Sequence, residues 1–204
     1  MKKTVVYVGV INSYNGENVY PFSRLVEIQN AKNIQVKNEK FSVWKLLEKA
    51  FIEKFNVDFL KLKFEKFNDK WVTDGYDFSL SHSSKLCSIS LAEDENGIDI
   101  EKIDRLRFSK LKAEKLLCKE ELEFYNTLSF EEKANFLNLI WVKKESYFKS
   151  QNKSVLNFTK INTLNLNFIV KTIEFSGETY FLCLYCQNVD NIEFVLLNDI
   201  KEIL

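Results

Sequence analysis

An α+β protein of two similar-sized halves is the fold this sequence predicts. Strand-like alternation and helical stripes come in blocks along the 204 residues, in the order strand, helix, strands, then strand, helices, strands. A composition that is 46% hydrophobic and 14% aromatic can fill sizeable cores at this length. We place the division at 1–95 and 96–204, with the stretch from Ser81 to Glu101 at the junction.

Residues 3–11 alternate apolar side chains densely enough for a buried first strand, and a polar turn over 12–18 follows, closed by Pro21, the only proline. Between 41 and 55, Trp44, Leu47, Phe51 and Phe55 recur at three- and four-residue spacing, the stripe of an amphipathic helix. "FLKLKFEKF" (59–67) interleaves charged and hydrophobic residues like a strand. "DFSLSH" (77–82) and "LCSISLA" (86–92) read as two strands about a turn at 83–85, and 97–101 as an acidic strand. The period then changes. Residues 108–117 read as helix, 118–119 as a break, and 120–127 as a second helix with acids in its first turn. Ser129 and Glu132 have capping-box spacing for a helix running to about 149. A polar loop, "SQNKSVLNF", precedes strands near 167–175, 179–187 and 192–197, the first two joined by "SGE".

Lys plus Arg and Asp plus Glu number 29 each, so no global field points to nucleic acid or an anionic membrane, and any anion site must be local. The opening "MKKTVVYVGVIN" lacks a small-residue cleavage site, and the apolar stretch 164–186 is broken by Lys171, Glu174 and Glu178, against a membrane span. Cys87, Cys118, Cys183 and Cys186 show no framework spacing, which suggests a reducing cytoplasm. Cys183 and Cys186 form a C-x-x-C, but strand periodicity sends them to opposite faces, against zinc.

Three short segments carry chemistry. In "NGIDIEKID" (96–104), Asp99 and Glu101 share one strand face, roughly 6.5–7 Å apart, while Ile98 and Ile100 share the other. Two readings stay open: an exposed edge strand with its acids in water, or two acids converging on a cation, since like charges about 4 Å apart cost on the order of 4 kcal/mol at an effective dielectric near 20. In "WVKKESYFK" (141–149), Glu145 and Lys149 lie one turn apart on one helix face, an arrangement that, taken alone, reads more readily as an ordinary solvated pair. His82 is the only histidine.

Taken together, "FSLSHS" (78–83), "GIDIE" (97–101) and "WVKKESYFK", in this order and at these separations, resemble the Sfp-type 4′-phosphopantetheinyl transferases. The resemblance is strongest over 76–155 and weak over the first 70 residues. It implies a pseudo-two-fold α+β chain whose halves bind coenzyme A and Mg²⁺ in the cleft between them. The reaction implied is attack by a serine hydroxyl of an acyl or peptidyl carrier protein on the β-phosphate of coenzyme A, releasing 3′,5′-ADP. Asp99, Glu101 and Glu145 match the family's metal-binding acids, a donor set suited to Mg²⁺. His82 matches a pyrophosphate contact, and Lys149 a lysine that neutralises phosphate or protonates the leaving group. Ser81, Lys40 and Ser42 join the candidate coenzyme A contacts. Glu145 and Glu121 are both candidates to act on the serine, and Trp141 reads as a packing residue.

The basic segment ahead of the long helix is poorer here than in relatives: Arg24, Lys32, Lys37, Lys40 and Ser42 are its candidates, and Lys153–Ser154 stands where relatives often carry lysine-glycine. The carrier is expected to dock by its helix near 111–128, and a cytoplasmic monomer serving fatty-acid, polyketide or peptide synthesis follows as the family expectation. Two other readings use the same residues: a Mg²⁺-dependent phosphohydrolase, or an inactive carrier-binding module.

Overall fold

A computed structural model describes residues 2–68, 70–104, 110–151, 157–187 and 189–203, with the backbone alone over 110–112. The expected helical start at 108 and the pair Lys153–Ser154 lie outside these residues.

Strand β1 (Thr4–Val10) is buried on both faces. Helices α1 (Phe22–Gln29) and α2 (Ile34–Phe55) follow it. The long helix begins earlier than its apolar stripe, because Asn33 Oδ1 accepts from Val36 N at 2.9 Å and caps it. The segment expected as one strand over 59–67 divides. Asp58 caps a 3-10 turn at Phe59–Lys61, burying Phe59, and only β2 (Phe64–Phe67) is extended, paired with β3 (Lys70–Thr73). Strands β4 (Asp77–Ser83), β5 (Leu86–Ala92) and β6 (Asn96–Lys102) come next, then α3 (Lys110–Leu116), α4 (Lys119–Thr127) and α5 (Phe130–Ser150). The chain ends with β7 (Ile169–Phe175), β8 (Glu178–Cys186), β9 (Ile192–Leu196) and β10 (Lys201–Ile203). The Ser129–Glu132 capping box forms as its spacing predicts, at 3.3 and 2.8 Å.

The described residues thus give a mixed α+β fold with five helices and two four-stranded sheets, in the orders β4-β5-β1-β9 and β10-β7-β8-β6. The last sequence block is not confined to one half: β9 crosses back to lie parallel beside β1. Period-two burial sorts the side chains into layers. Val5 and Tyr7 of β1 join Cys87, Ile89 and Leu91 of β5 in a core under α1 and α2, where Trp44, Leu47 and Phe51 are buried. Val6, Val8 and Leu86 face the other way and meet Ile98, Ile100, Leu182 and Leu184, so the two sheets pack face to face. Helix α5 covers the far side of the second sheet. There Ser146 Oγ lies 3.3 Å from Cys183 Sγ, while Cys186 points into the inter-sheet core, so the two cysteines do take opposite faces. A third cluster, Ala113, Leu116, Leu117, Tyr125, Leu137 and Ile140, holds α3 and α4 against α5.

Candidate active site

Edge strand β4 of the first sheet meets edge strand β6 of the second through side chains. Alternate serines of "FSLSHS" supply the acceptors: Ile98 N donates to Ser79 Oγ at 3.1 Å, Ile100 N to Ser81 Oγ at 3.2 Å and Lys102 N to Ser83 Oγ at 3.1 Å. The edge amides of β6, which would otherwise be orphaned in the interior, are thereby satisfied. The hydroxyls then pass their own hydrogens on. Ser81 Oγ donates to Asp99 Oδ1 at 2.7 Å and Ser83 Oγ to Glu101 Oε2 at 2.8 Å, so the ladder also orients the two acids.

Asp99 and Glu101 face α5. The helix can approach because position 97 is glycine: a Cβ there would stand 1.9 Å from Ser146 O and 2.6 Å from Ser150 N. That approach brings the Lys149 ammonium to 2.7 Å from Asp99 Oδ1 and 3.0 Å from Ser81 Oγ. Lys149 is thus a cation that meets the acidic strand. Burial pushes the Asp99 carboxyl above its ordinary range, and Lys149 and Ser81 oppose that shift. Asp99 Oδ2 is buried without a hydrogen-bond partner among the described residues. Glu101 Oε1 accepts from Trp141 Nε1 at 3.2 Å, so Trp141 does more than pack. Glu145 is half-buried, one turn before Lys149 on the same face of α5. Among the described residues no three metal-ligating side chains are gathered into a ready cluster.

Beside Lys149 opens a cleft of about 620 Å³ between α1, α2, the β2–β3 hairpin, β4 and the end of α5. Arg24, Lys149, Lys40 and Lys70 give it positive charge, His82 adds an imidazole, and Phe67, Trp71, Phe78 and Phe148 give it aromatic walls. Among the described residues its one lining carboxylate is Glu27, which accepts from Arg24 at 2.8 Å, Lys40 at 2.8 Å and Trp71 Nε1 at 2.9 Å. Burial alone would raise the Glu27 carboxyl, but these donors hold it at about 2. Arg24 is buried with its guanidinium over the Trp44 ring, while Lys37 reaches the ring of Tyr14.

The predicted residues therefore separate. His82, Ser81, Lys149, Asp99 and Glu101 come together, and Lys40 lines the cleft. Ser42 does not line it. Its hydroxyl is buried between the backbone N and O of Asn12, at 2.8 and 3.2 Å, and pins the loop after β1. Glu121 is wholly buried, 2.5 Å from Lys144 Nζ, and accepts from Thr163 and Cys118. Lys70, Trp71, Phe148 and Glu27 escaped sequence reasoning, because nothing in their spacing marks them until the hairpin and α1 close over β4.

The family model for the 4′-phosphopantetheinyl transferase superfamily matches residues 95–197, half of the chain, and the protein belongs to that superfamily. A search of curated proteins gives no match. No helix among the described residues is long and apolar enough to cross a membrane.

Proposed function

We propose that the protein is an Sfp-type, Mg²⁺-dependent enzyme that transfers the 4′-phosphopantetheine arm of coenzyme A to a serine of an apo acyl or peptidyl carrier protein. The observation that carries the reading is the Lys149–Asp99–Ser81 cluster at the mouth of a cationic, aromatic-walled cleft. The pseudo-two-fold arrangement of the halves belongs to the same reading and is supported by two four-stranded sheets meeting at β4 and β6.

Superfamily membership brings coenzyme A as the substrate. Its adenine suits the Trp71 and Phe148 walls, and its pyrophosphate suits His82, Lys149 and Lys70. The orphaned Asp99 Oδ2 fits a hard cation. Asp99, Glu101 and Glu145 would hold Mg²⁺, which when bound supplies charge neutralisation at the pyrophosphate. Lys149 then stands to neutralise the phosphate oxygens or protonate the leaving group. Glu145, one turn before Lys149 on the same face of α5, is then the candidate for deprotonating the serine; Glu121, sealed by Lys144, is better read as structural. Such a transfer requires in-line positioning and charge neutralisation more than covalent help.

The test is mass spectrometry of apo acyl carrier protein incubated with coenzyme A, Mg²⁺ and the protein, beside Asp99→Ala. We expect the carrier to gain one phosphopantetheine, and to gain none with the variant or with chelator. No gain on several carriers, from folded protein that binds coenzyme A, would overturn the reading.

A further inference from the structure

Behind His82 lies a buried carboxylate that the transfer reaction does not itself require. Glu39 lies on α2, is only 7% exposed, and among the described residues its two oxygens have separate partners. Gln35 Nε2 donates to Oε1 at 2.9 Å, and Oε2 lies 3.6 Å from His82 Nδ1. His82 itself is open to the cleft, with a side chain 44% exposed. A buried carboxylate fixed at one oxygen and facing an imidazole with the other fits a device for orienting that ring.

We propose that Glu39 is a positioning residue for His82, holding the imidazole through Nδ1 and leaving Nε2 for a phosphate anion in the cleft. This rests on the cleft being the coenzyme A site. The charged groups facing His82 come from three elements: Glu39 on α2, Lys149 on α5, and Asp99 and Glu101 on β6. Cys87, its register partner on β5, is a buried thiol. Burial pushes the imidazole below its ordinary value, Glu39 pulls it up, Lys149 pushes it down, and the two β6 acids oppose Lys149. Without Glu39, protonation would weaken and the ring would lose its preference for a proton on Nδ1.

His82 is the only histidine, so ¹H–¹⁵N correlation of the imidazole reads this pair without ambiguity. Glu39→Gln keeps an acceptor for Gln35 and removes the charge. We expect the His82 pKa of the ligand-free variant to fall by about one unit, the low end for loss of an opposite charge at this range. We also expect its neutral form to lose the Nδ1–H tautomer. In wild type, coenzyme A should shift the Nε2 resonance. The sign of the binding effect depends on pH. Between the two pKa values the variant should bind coenzyme A more weakly, because only wild-type His82 is charged. Above both, it should bind as well or better, because an anion behind His82 has gone.

A Glu39 that only supports the fold would change Tm and leave the pKa and tautomer alone, which overturns the proposal. If the variant shifts the pKa but coenzyme A leaves Nε2 unmoved in both proteins, the cleft-facing role falls and the reading of the cleft falls with it. That outcome is distinct from a failure of the pairing itself.

Discussion

Asp99 Oδ1 takes both the Ser81 hydroxyl and the Lys149 ammonium, which leaves Oδ2 as the buried oxygen with an unmet demand. Asp99→Asn keeps the shape but replaces that oxygen's charge. In the proposed transfer we expect kcat to fall by about 10²- to 10³-fold, the usual cost of removing one preorganised electrostatic group. Carrier loading at saturating coenzyme A checks this, and a loss confined to KM would assign Asp99 to uniform binding instead. Gly97 makes a different prediction. A methyl group there meets helix backbone rather than a yielding side chain, so α5 must retreat from β6. Gly97→Ala should cost about 1–3 kcal/mol as overpacking, a fall in Tm of about 2–4 °C per kcal/mol for a chain of this size. Because retreat also separates Lys149 from Asp99, transfer should weaken more than stability does; thermal melts beside loading rates test the pair of effects.

Helix α5 carries the site on one side and a sealed ion pair on another. Lys144 is wholly buried, with Nζ donating to Leu116 O and Phe158 O, each at 2.8 Å, besides its pairing with Glu121. Removing the lysine alone leaves a buried carboxylate, so Lys144→Met should destabilise by about 3–5 kcal/mol. Lys144→Met with Glu121→Gln should recover part of that loss, since the charge is gone and the amide oxygen can still accept from Thr163, although the NH2 that replaces Oε2 cannot accept from Cys118 N. Urea unfolding measures the recovery, and carrier loading by the double variant near the wild-type rate would exclude Glu121 as the base. There is a pH signature as well. Burial opposes ionisation of Glu121, yet Lys144 and the amides outweigh it and hold the carboxyl below its usual range. The pair's contribution is therefore present above the unfolded value near 4.5 and is lost as pH falls through the lower folded value. The double variant should lack that acid-side loss. Glu121 was legible in sequence only as an acid near the site, because its partner lies 23 residues away on another helix. Regular elements were more legible: β1, β4, β5, β6, α5, β7 and β8 follow their hydrophobic periods and the Ser129 cap. Helix α1 and the strands β3 and β10 were not, since short segments such as "KWVT" acquire their pairing from partners the local pattern does not contain. In the site, alternation placed Asp99 and Glu101 on one face correctly. The use of serine hydroxyls as edge acceptors needed the two sheets brought together.

The whole molecule is joined by β9 as much as by the β4–β6 serines. β9 runs parallel to β1 and sends Ile192, Phe194 and Leu196 against the inter-sheet core, while Val195 and Leu197 reach the core under α2. Glu193 pairs with both Lys3 and Lys54, tying the same strand to the first residues and to the end of α2. A fragment of residues 1–95 would leave β1 with an unpaired edge and both cores partly uncovered. It would also lose the face of the second sheet that buries Val6, Val8 and Leu86. The halves should therefore behave as one cooperative unit. We expect the 1–95 fragment to lack fixed tertiary structure by near-ultraviolet circular dichroism, and the intact chain to unfold in a single transition by fluorescence and far-ultraviolet signals alike. Mixing 1–95 with 96–204 should restore the tertiary signal only if β9 finds β1, so removing residues 189–204 from the second fragment should abolish the recovery. A 1–95 fragment that folds alone would mean that the first sheet is complete without its crossover strand. The cleft, walled mainly by residues before 95 but supplied with Lys149 and Phe148 from beyond it, would then assemble by docking of preformed halves rather than by folding of the whole.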